Sequence, residues 1–291
     1  MGGAAAQKAE WTVALLTSCT APVSAIVPSA MGNYELVSYE VDDGVATVTL
    51  NNPEKRNMLS GQMLFELVDA MKTARDSEDV RAVVLTGAGD KAFCAGADLG
   101  GFAADVPLVT KHFASDLFLE YFRLMPRLGK PSLCAVNGHV LAGGMGLALS
   151  CDLVIAREGA TFGTPEINVG AFPYMIMAII YRNVPRKKVN EMMLLGERLS
   201  AEQAVEYGLA NKVVPAGEFD AAVAEWAGKL ASKSPVLMRL GHDAMYRQQD
   251  MAVDDALDYL RSQLSLTFTT EDIVEGVTAF FEKRDPQWKG R

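Results

Sequence analysis

Three stretches of this 291-residue chain bring small residues and polar groups together in ways that suit chemistry on a bound ligand. In Lys91–Leu99 (KAFCAGADL), small side chains let the backbone approach a ligand closely and leave its N–H groups free to point at it. In Val136–Leu147 (VNGHVLAGGMGL), which runs on to Cys151-Asp152, a strand ends, glycines follow and a helix begins at Gly143-Gly144. Unpaired N–H donors at a helix N-terminus suit an oxygen that gains negative charge. In Phe162–Ile167 (FGTPEI) a carboxylate, Glu166, sits in a Gly/Pro-flanked loop, with Gly170 and Pro173 beyond it.

The elements that must position these stretches follow from pattern. ELVSYEV and VATVTL read as two strands split by the turn Asp42-Asp43-Gly44. Ser60 caps a helix to about residue 76, with Met63, Leu64, Leu67 and Met71 at helical spacing. RAVVLTG (81–87) is a buried strand opening into a Gly/Ala loop over 88–101. Residues 107–126 form an amphipathic helix, and 131–138 and 152–157 are further strands. VVLTGAGDKAFCAGADL and LVIAREGATFGTPEI echo one another: strand, tight turn, Phe then a small residue, acidic residue. That echo predicts stacked ββα turns in an α/β fold rather than a doubly wound sheet. From about residue 186 the periodicity is helical, over 186–195, 200–207, 217–231, 236–249, 253–267 and 270–283, with Asn211–Val214 extended between them. The expected organisation is a disordered extension over 1–30, a core over 31–215 and a helical region over 216–291.

Composition narrows the function classes. Hydrophobic residues make up 49% of the chain, enough for a large core. The net charge is −9 without a Lys/Arg run, which argues against nucleic acid or an anionic membrane surface as partner. No apolar run is long enough to span a bilayer. Leu16–Cys19 superficially resembles a lipoprotein cleavage site, but only Lys8 stands where a basic leader would be, so a tail is expected there. The four cysteines form no CxxC pair and the three histidines are far apart, so no metal is expected. Cys134 and Cys151 lie in apolar runs and read as reduced, buried thiols, which fits a cytoplasmic location.

Taken with NNPEKRNMLS (51–60), LSAEQAVEYGLANKVV (199–214) and EGVTAFFEKRDP (275–286), the three stretches resemble the enoyl-CoA hydratase/isomerase (crotonase) superfamily from about residue 34 onward. The resemblance implies a crotonase-like spiral of ββα turns, a helical C-terminal trimerisation region, and a homotrimer or homohexamer. It implies an acyl-CoA thioester as substrate, with coenzyme A part of that substrate and no separate cofactor. The backbone N–H groups of Ala97 and Gly143 would form an oxyanion hole, and Glu166 would be the acid/base. A carboxylate beside an apolar acyl pocket has its pKa raised by desolvation, which suits proton transfer near neutral pH. CoA contacts would come from Lys55, Arg56, Met58, Ala95, Asp98 and Leu99, and from Phe280 and Lys283, often reaching across from a neighbouring subunit.

Two departures stand out. Hydratases of the superfamily usually carry a second glutamate where this chain has Gly146. Hydration needs an activated water and a proton at the α-carbon, whereas a double-bond shift needs a single base. Hydration and isomerisation therefore both stay open, as do thioester hydrolysis, decarboxylation and a non-catalytic acyl-CoA-binding subunit. His112, Asp116 and Glu120 share one face of the 107–126 helix. A solvated stripe with Glu120 paired to Arg123 is the plain expectation, and a replacement acid the sharper one. The other departure is Tyr174–Met177, which stands where relatives have a glycine-rich stretch. These residues would narrow the acyl site, with Tyr174 packed as a core aromatic. His139, just past a strand end, is expected to be a hydrogen-bonded structural histidine.

Overall fold

The structure, a computed structural model, describes residues 34–98, 107, 108, 112 and 115–291. Residues from Glu35 to Arg291 form one compact unit. The expected 1–30 extension and Leu99 lie outside the described residues. Along the chain come β1 (Val37–Asp42), β2 (Val45–Leu50), α1 (Gly61–Asp76), β3 (Ala82–Gly87), β4 (Ala92–Cys94), α2 (Asp116–Leu124), β5 (Ser132–Val136), β6 (His139–Leu141), α3 (Gly143–Leu149), β7 (Leu153–Arg157) and β8 (Thr161–Gly163). Then follow α4 (Tyr174–Asn183), α5 (Arg186–Leu195), β9 (Arg198–Ser200), α6 (Ala201–Glu206), β10 (Lys212–Val214), α7 (Phe219–Ala231), α8 (Pro235–Arg247), α9 (Val253–Thr267) and α10 (Glu271–Glu282).

The strands form two sheets, ordered β1-β2-β3-β5-β7-β10 and β4-β6-β8-β9. The repeating unit is a long strand in the first sheet, a tight turn, and a short strand in the second. It occurs as β3–β4, β5–β6 and β7–β8. The first and third copies are the two echoing segments of the sequence. Within each sheet the successive copies pair in parallel, Val83↔Ser132 and Leu133↔Leu153 in one, Cys94↔Val140 and Val140↔Phe162 in the other.

Burial explains the arrangement. In β2 only alternate residues are buried, Ala46, Val48 and Leu50, as expected where one face meets the core. β5 is buried throughout, as a central parallel strand must be. The Ser60 hydroxyl accepts from Met63 N–H (3.2 Å) and starts α1, whose Met63, Leu67 and Met71 are fully buried. Helix α7 closes the large sheet, with Phe219, Ala222 and Ala227 packed on Val84, Leu133, Ile155 and Val214. Asp152 ties α8 to the strands. Its Oδ2 accepts from Ser132 N–H and Oγ–H (both 2.7 Å) and its Oδ1 from Tyr246 Oη–H (2.6 Å). Burial pushes the Asp152 carboxyl up, but hydrogen bonds from His242, Tyr246 and Ser132 outweigh it and hold the group below its usual range.

Helices α9 and α10 leave Val253, Leu257, Val274, Phe280 and Phe281 exposed, each more than 60% accessible. Among the described residues no helix is long and apolar enough to cross a membrane.

The loop between β2 and α1 is built on Asn57, which is fully buried. Its Oδ1 accepts from Asn52 N–H (2.9 Å), and its Nδ2 donates to the carbonyls of Ala88 (3.0 Å) and Ala92 (2.9 Å). Replacing it strands three buried or part-buried backbone groups. Asn57→Ala is expected to cost about 3 kcal/mol of stability, measured as a lowered midpoint in urea denaturation.

Candidate active site

Cys94, Val140 and Phe162 lie in register across three neighbouring parallel strands. Ala97, Gly143 and Glu166 each follow that row by three or four residues. They therefore leave the same edge of the small sheet, across strands about 4.8 Å apart. Residues far apart in sequence are thus gathered by one hydrogen-bonded ladder, at the carboxyl ends of its strands, where ligands of α/β sheets commonly bind.

The backbone around Ala97 is defined by a parallel bridge to Leu59. Leu59 N–H donates to the Gly96 carbonyl (2.8 Å), and Asp98 N–H donates to the Leu59 carbonyl (3.2 Å). The bridging groups belong to residues 96 and 98, so the N–H of Ala97 faces the other way. Gly143 opens α3, and its N–H is one of those the helix itself leaves unpaired. A Cβ built on Gly96 would lie 3.4 Å from Gly143 N, so the two segments touch. Both Ala97 and Gly143 are partly exposed, whereas Gly96 and Gly144 beside them are buried.

Two unusual backbone conformations make this contact. Ala142 has φ 51° and ψ −125°, a region that costs roughly 1–3 kcal/mol for a residue with a side chain. It is held there by its N–H on the Gly163 carbonyl (2.9 Å) and by Met145 N–H on its own carbonyl (2.9 Å). Gly96 has φ +96°, and a Cβ on it would lie 2.6 Å from that of Ala142. The glycine is required twice over, by its dihedral and by the methyl opposite it. Ala142 was not singled out in the sequence, where it is one small residue in a run of them.

Glu166 stands on a single 3-10 turn, Pro165–Val169, closed by Gly170 at φ 76°. Asn168 Nδ2–H donates to the Gly196 carbonyl (3.0 Å) and anchors the turn to the end of α5. The Oε2 atom of Glu166 is buried and has no hydrogen-bond partner among the described residues. Burial raises the carboxyl above its ordinary range, and a hydrogen bond from its own backbone N–H offsets this only in part. An unpaired, buried carboxylate oxygen is a proton acceptor without an internal occupant.

One helical turn past Gly143 lies Gly146, buried under α2 and α4. A Cβ there would meet Ile176 Cγ2 at 2.4 Å and Phe122 Cζ at 2.8 Å. The second carboxylate is therefore not merely missing; carbon atoms fill its place. Cys94 lies under the same helix, and burial pushes its thiol up to about 12.

The acidic stripe of α2 faces elsewhere. Asp116 and Glu120 line a cleft of about 510 Å³ between α1 and α2, with Lys72, Arg75, Arg123 and Arg127. Glu120 pairs with Lys72 (2.5 Å) on α1 rather than with Arg123. The helix turns Phe118 and Phe122 towards Gly143 and Gly146 instead. Tyr174 is 74% exposed, its ring against Phe172 (5.4 Å), so it is not a core aromatic; Ile176 takes the buried position. His139 is the expected structural histidine, its Nδ1 2.8 Å from Thr161 Oγ1. Cys134 and Cys151 are free and buried.

Of the residues expected to hold CoA, Arg56 and Ala95 are joined directly, the Ala95 N–H donating to the Arg56 carbonyl (3.0 Å). Met58 and Asp98 flank the Leu59–Ala97 bridge. Lys55 and Arg56 are exposed, and Arg56 lines a cleft of about 320 Å³ with Pro53, Glu54, Ala88 and Lys91. Phe280 and Lys283 sit at the far end of α10, and Phe280 is 77% exposed. Among the described residues no cluster of His, Cys, Asp or Glu has a metal-binding arrangement.

The sequence profile of the enoyl-CoA hydratase/isomerase family matches residues 40–291. The chain is 35% identical over 250 residues to a "Probable enoyl-CoA hydratase, mitochondrial" of Dictyostelium discoideum, covering 85% of this chain and 88% of that one. It is 34% identical to the (E)-benzylidenesuccinyl-CoA hydratase of Thauera aromatica, covering 87% and 99%. The crystal structure of an enoyl-CoA hydratase from Bacillus anthracis superposes with a TM-score of 0.84 at 32% identity, covering 88% and 100%. The chain belongs to the enoyl-CoA hydratase/isomerase family, in the crotonase superfamily.

The Gly96–Ala142 contact yields a prediction. Gly96→Ala puts two methyl carbons in one place at a dihedral that alanine resists, and so must separate the strand ends. Turnover should fall by at least about 100-fold, the scale of losing an oxyanion donor. Near-ultraviolet circular dichroism should show the sheets still packed.

Proposed function

We propose that this protein acts on an unsaturated acyl-CoA thioester through an enolate. The N–H groups of Ala97 and Gly143 bind the thioester oxygen and Glu166 moves the proton. The observation that carries this reading is the buried Oε2 of Glu166, without a hydrogen-bond partner among the described residues, leaving the same sheet edge as Ala97 and Gly143. A proton next to a thioester carbonyl is only weakly acidic, so its removal needs the resulting anion to be stabilised. Two preorganised N–H donors strengthen as charge builds on that oxygen and supply about 3–4 kcal/mol each. Burial keeps the Glu166 carboxyl basic enough to take the proton.

The CoA moiety lies along Lys55, Arg56, Met58, Ala95, Asp98 and Leu99, the two cations meeting its phosphates. Phe280 and Lys283 cover CoA from a neighbouring copy in a homotrimer, or a hexamer of two trimers. The exposed apolar side chains of α9 and α10 support that assembly. The free buried thiols support placement in the cytoplasm. One carboxylate serves either a double-bond shift or an atypical hydration. A second reading, acyl-CoA binding without turnover, is favoured by Gly146 and opposed by Glu166.

Purified protein offered a 2-enoyl-CoA and a 3-enoyl-CoA separates these readings. Water addition to the first defines a hydratase, interconversion at constant mass defines an isomerase, and binding with neither product sinks the catalytic reading. Glu166→Gln should lower kcat by about 100- to 10,000-fold while leaving acyl-CoA affinity, measured calorimetrically, within about threefold. Unchanged turnover removes Glu166 from the mechanism. Because the ionised carboxylate is the base, wild-type activity should fall as pH drops through its raised pKa. That acid limb is expected above the ordinary glutamate value of about 4.3.

A further inference from the structure

The space one helical turn past Gly143 decides what Glu166 can accomplish alone. Gly146 is buried, and Ile176 is only 4% exposed. A Cβ at residue 146 would meet Ile176 Cγ2 at 2.4 Å, Phe122 Cζ at 2.8 Å and Ile176 Cβ at 3.1 Å. Both side chains are packed. The Phe122 ring packs against Phe118 (centroids 6.1 Å apart) and Tyr121 (5.7 Å), and Ile176 lies in the second position after the start of α4. Phe118 stands over Gly143 as Phe122 stands over Gly146, so α2 lays an aromatic strip along α3.

Resting on the proposed acyl-CoA chemistry, we infer that Phe122 and Ile176 are specificity-determining residues. They form an apolar wall that keeps water out of the space beside Gly146 and commits the site to moving a double bond rather than adding water. A site for one water needs room and two to four polar partners. Among the described residues the three atoms nearest a Cβ at Gly146 are all carbon. Asp116 and Glu120 on α2 face the α1–α2 cleft, and the Cys94 thiol, pushed up to about 12, holds its proton.

A double-bond shift balances without water. Glu166 Oε2 takes a proton from C2 of a 3-enoyl thioester. The C–H electron pair becomes a C1=C2 bond and the carbonyl pair moves to oxygen, held by the two N–H groups. The carbonyl then re-forms, the C1=C2 pair becomes C2=C3, and the former C3=C4 pair takes the same proton at C4. Hydration instead requires a water oxygen to bond C3 and lose a proton while C2 gains one. That water must be seated against C3, and the described residues nearest Gly146, Phe122 and Ile176, present only carbon to it.

The test is the ratio of hydrated to isomerised product from 2-enoyl-CoA and 3-enoyl-CoA, read by mass and chromatography. Wild type should isomerise, with water addition a minor path. Ile176→Ser, which opens the space and supplies a hydroxyl, should raise the hydration-to-shift ratio by about tenfold, equivalent to roughly 1.4 kcal/mol. The triple variant G146E/F122L/I176A, with a carboxylate and the room to hold it, should raise it by about 100-fold or more. Melting curves establish that each variant is folded, and Ile176→Ser keeps the test decisive if the triple variant is not. A wild type that hydrates as fast as it isomerises, or a folded Ile176→Ser with the wild-type ratio, overturns the wall. A wild type giving neither product overturns the catalytic reading on which the wall rests.

Discussion

The ladder joining β4, β6 and β8 is the constraint on which the site depends. Its hydrogen bonds hold Cys94, Val140 and Phe162 side by side, and what happens a few residues later follows from that alignment. A shift of one residue in any strand would turn its side chains over and displace the following segment by about 3.3 Å. The larger sheet serves this one. Its buried central strands and the cover of α7 fix the positions from which each short strand departs.

Strain and close packing concentrate at the same edge. Ala142 holds a backbone conformation that alanine avoids, Gly96 yields space to its methyl group, and Glu166 carries a buried oxygen without a partner among the described residues. Each is unfavourable taken alone, and the surrounding ladder offsets the cost. Unfavourable features gathered where segments converge are what a preorganised site requires, because groups fixed in advance need no reorganisation when charge develops. Gly146 belongs to the same economy of space. Its lack of a side chain is the counterpart of Phe122 and Ile176 pressing into that volume.

Much of the fold is legible in the chain. The alternation in β2, the Ser60 cap and the C-terminal helical periods are local patterns, and each corresponds to an observed element. The echo between the β3–β4 and β7–β8 segments points to the repeat. The middle copy, β5–β6, is not legible because its turn, Asn137-Gly138, leaves too little polar sequence to split an apolar run. The three-residue strands of the small sheet carry no usable period for the same reason. Helix α4 was missed as well, since Tyr174–Ile180 is a continuous apolar stretch that periodicity cannot assign. The direction of the α2 stripe was also out of reach: Glu120 meets Lys72, and nothing in the spacing says which neighbour lies opposite.

The sequence by itself determined the family, the mixed α/β class, and the candidacy of Ala97, Gly143 and Glu166. These rest on residue types and short spacings, which are local properties of the chain. Only the tertiary structure decided that those residues share one sheet edge, that Ala142 and Gly96 interlock there, and that Phe122 and Ile176 occupy the place of a second carboxylate. Those are contacts between segments tens of residues apart. They are set by strand register and by the exclusion of one atom's volume by another, and neither is written in any single stretch of residues.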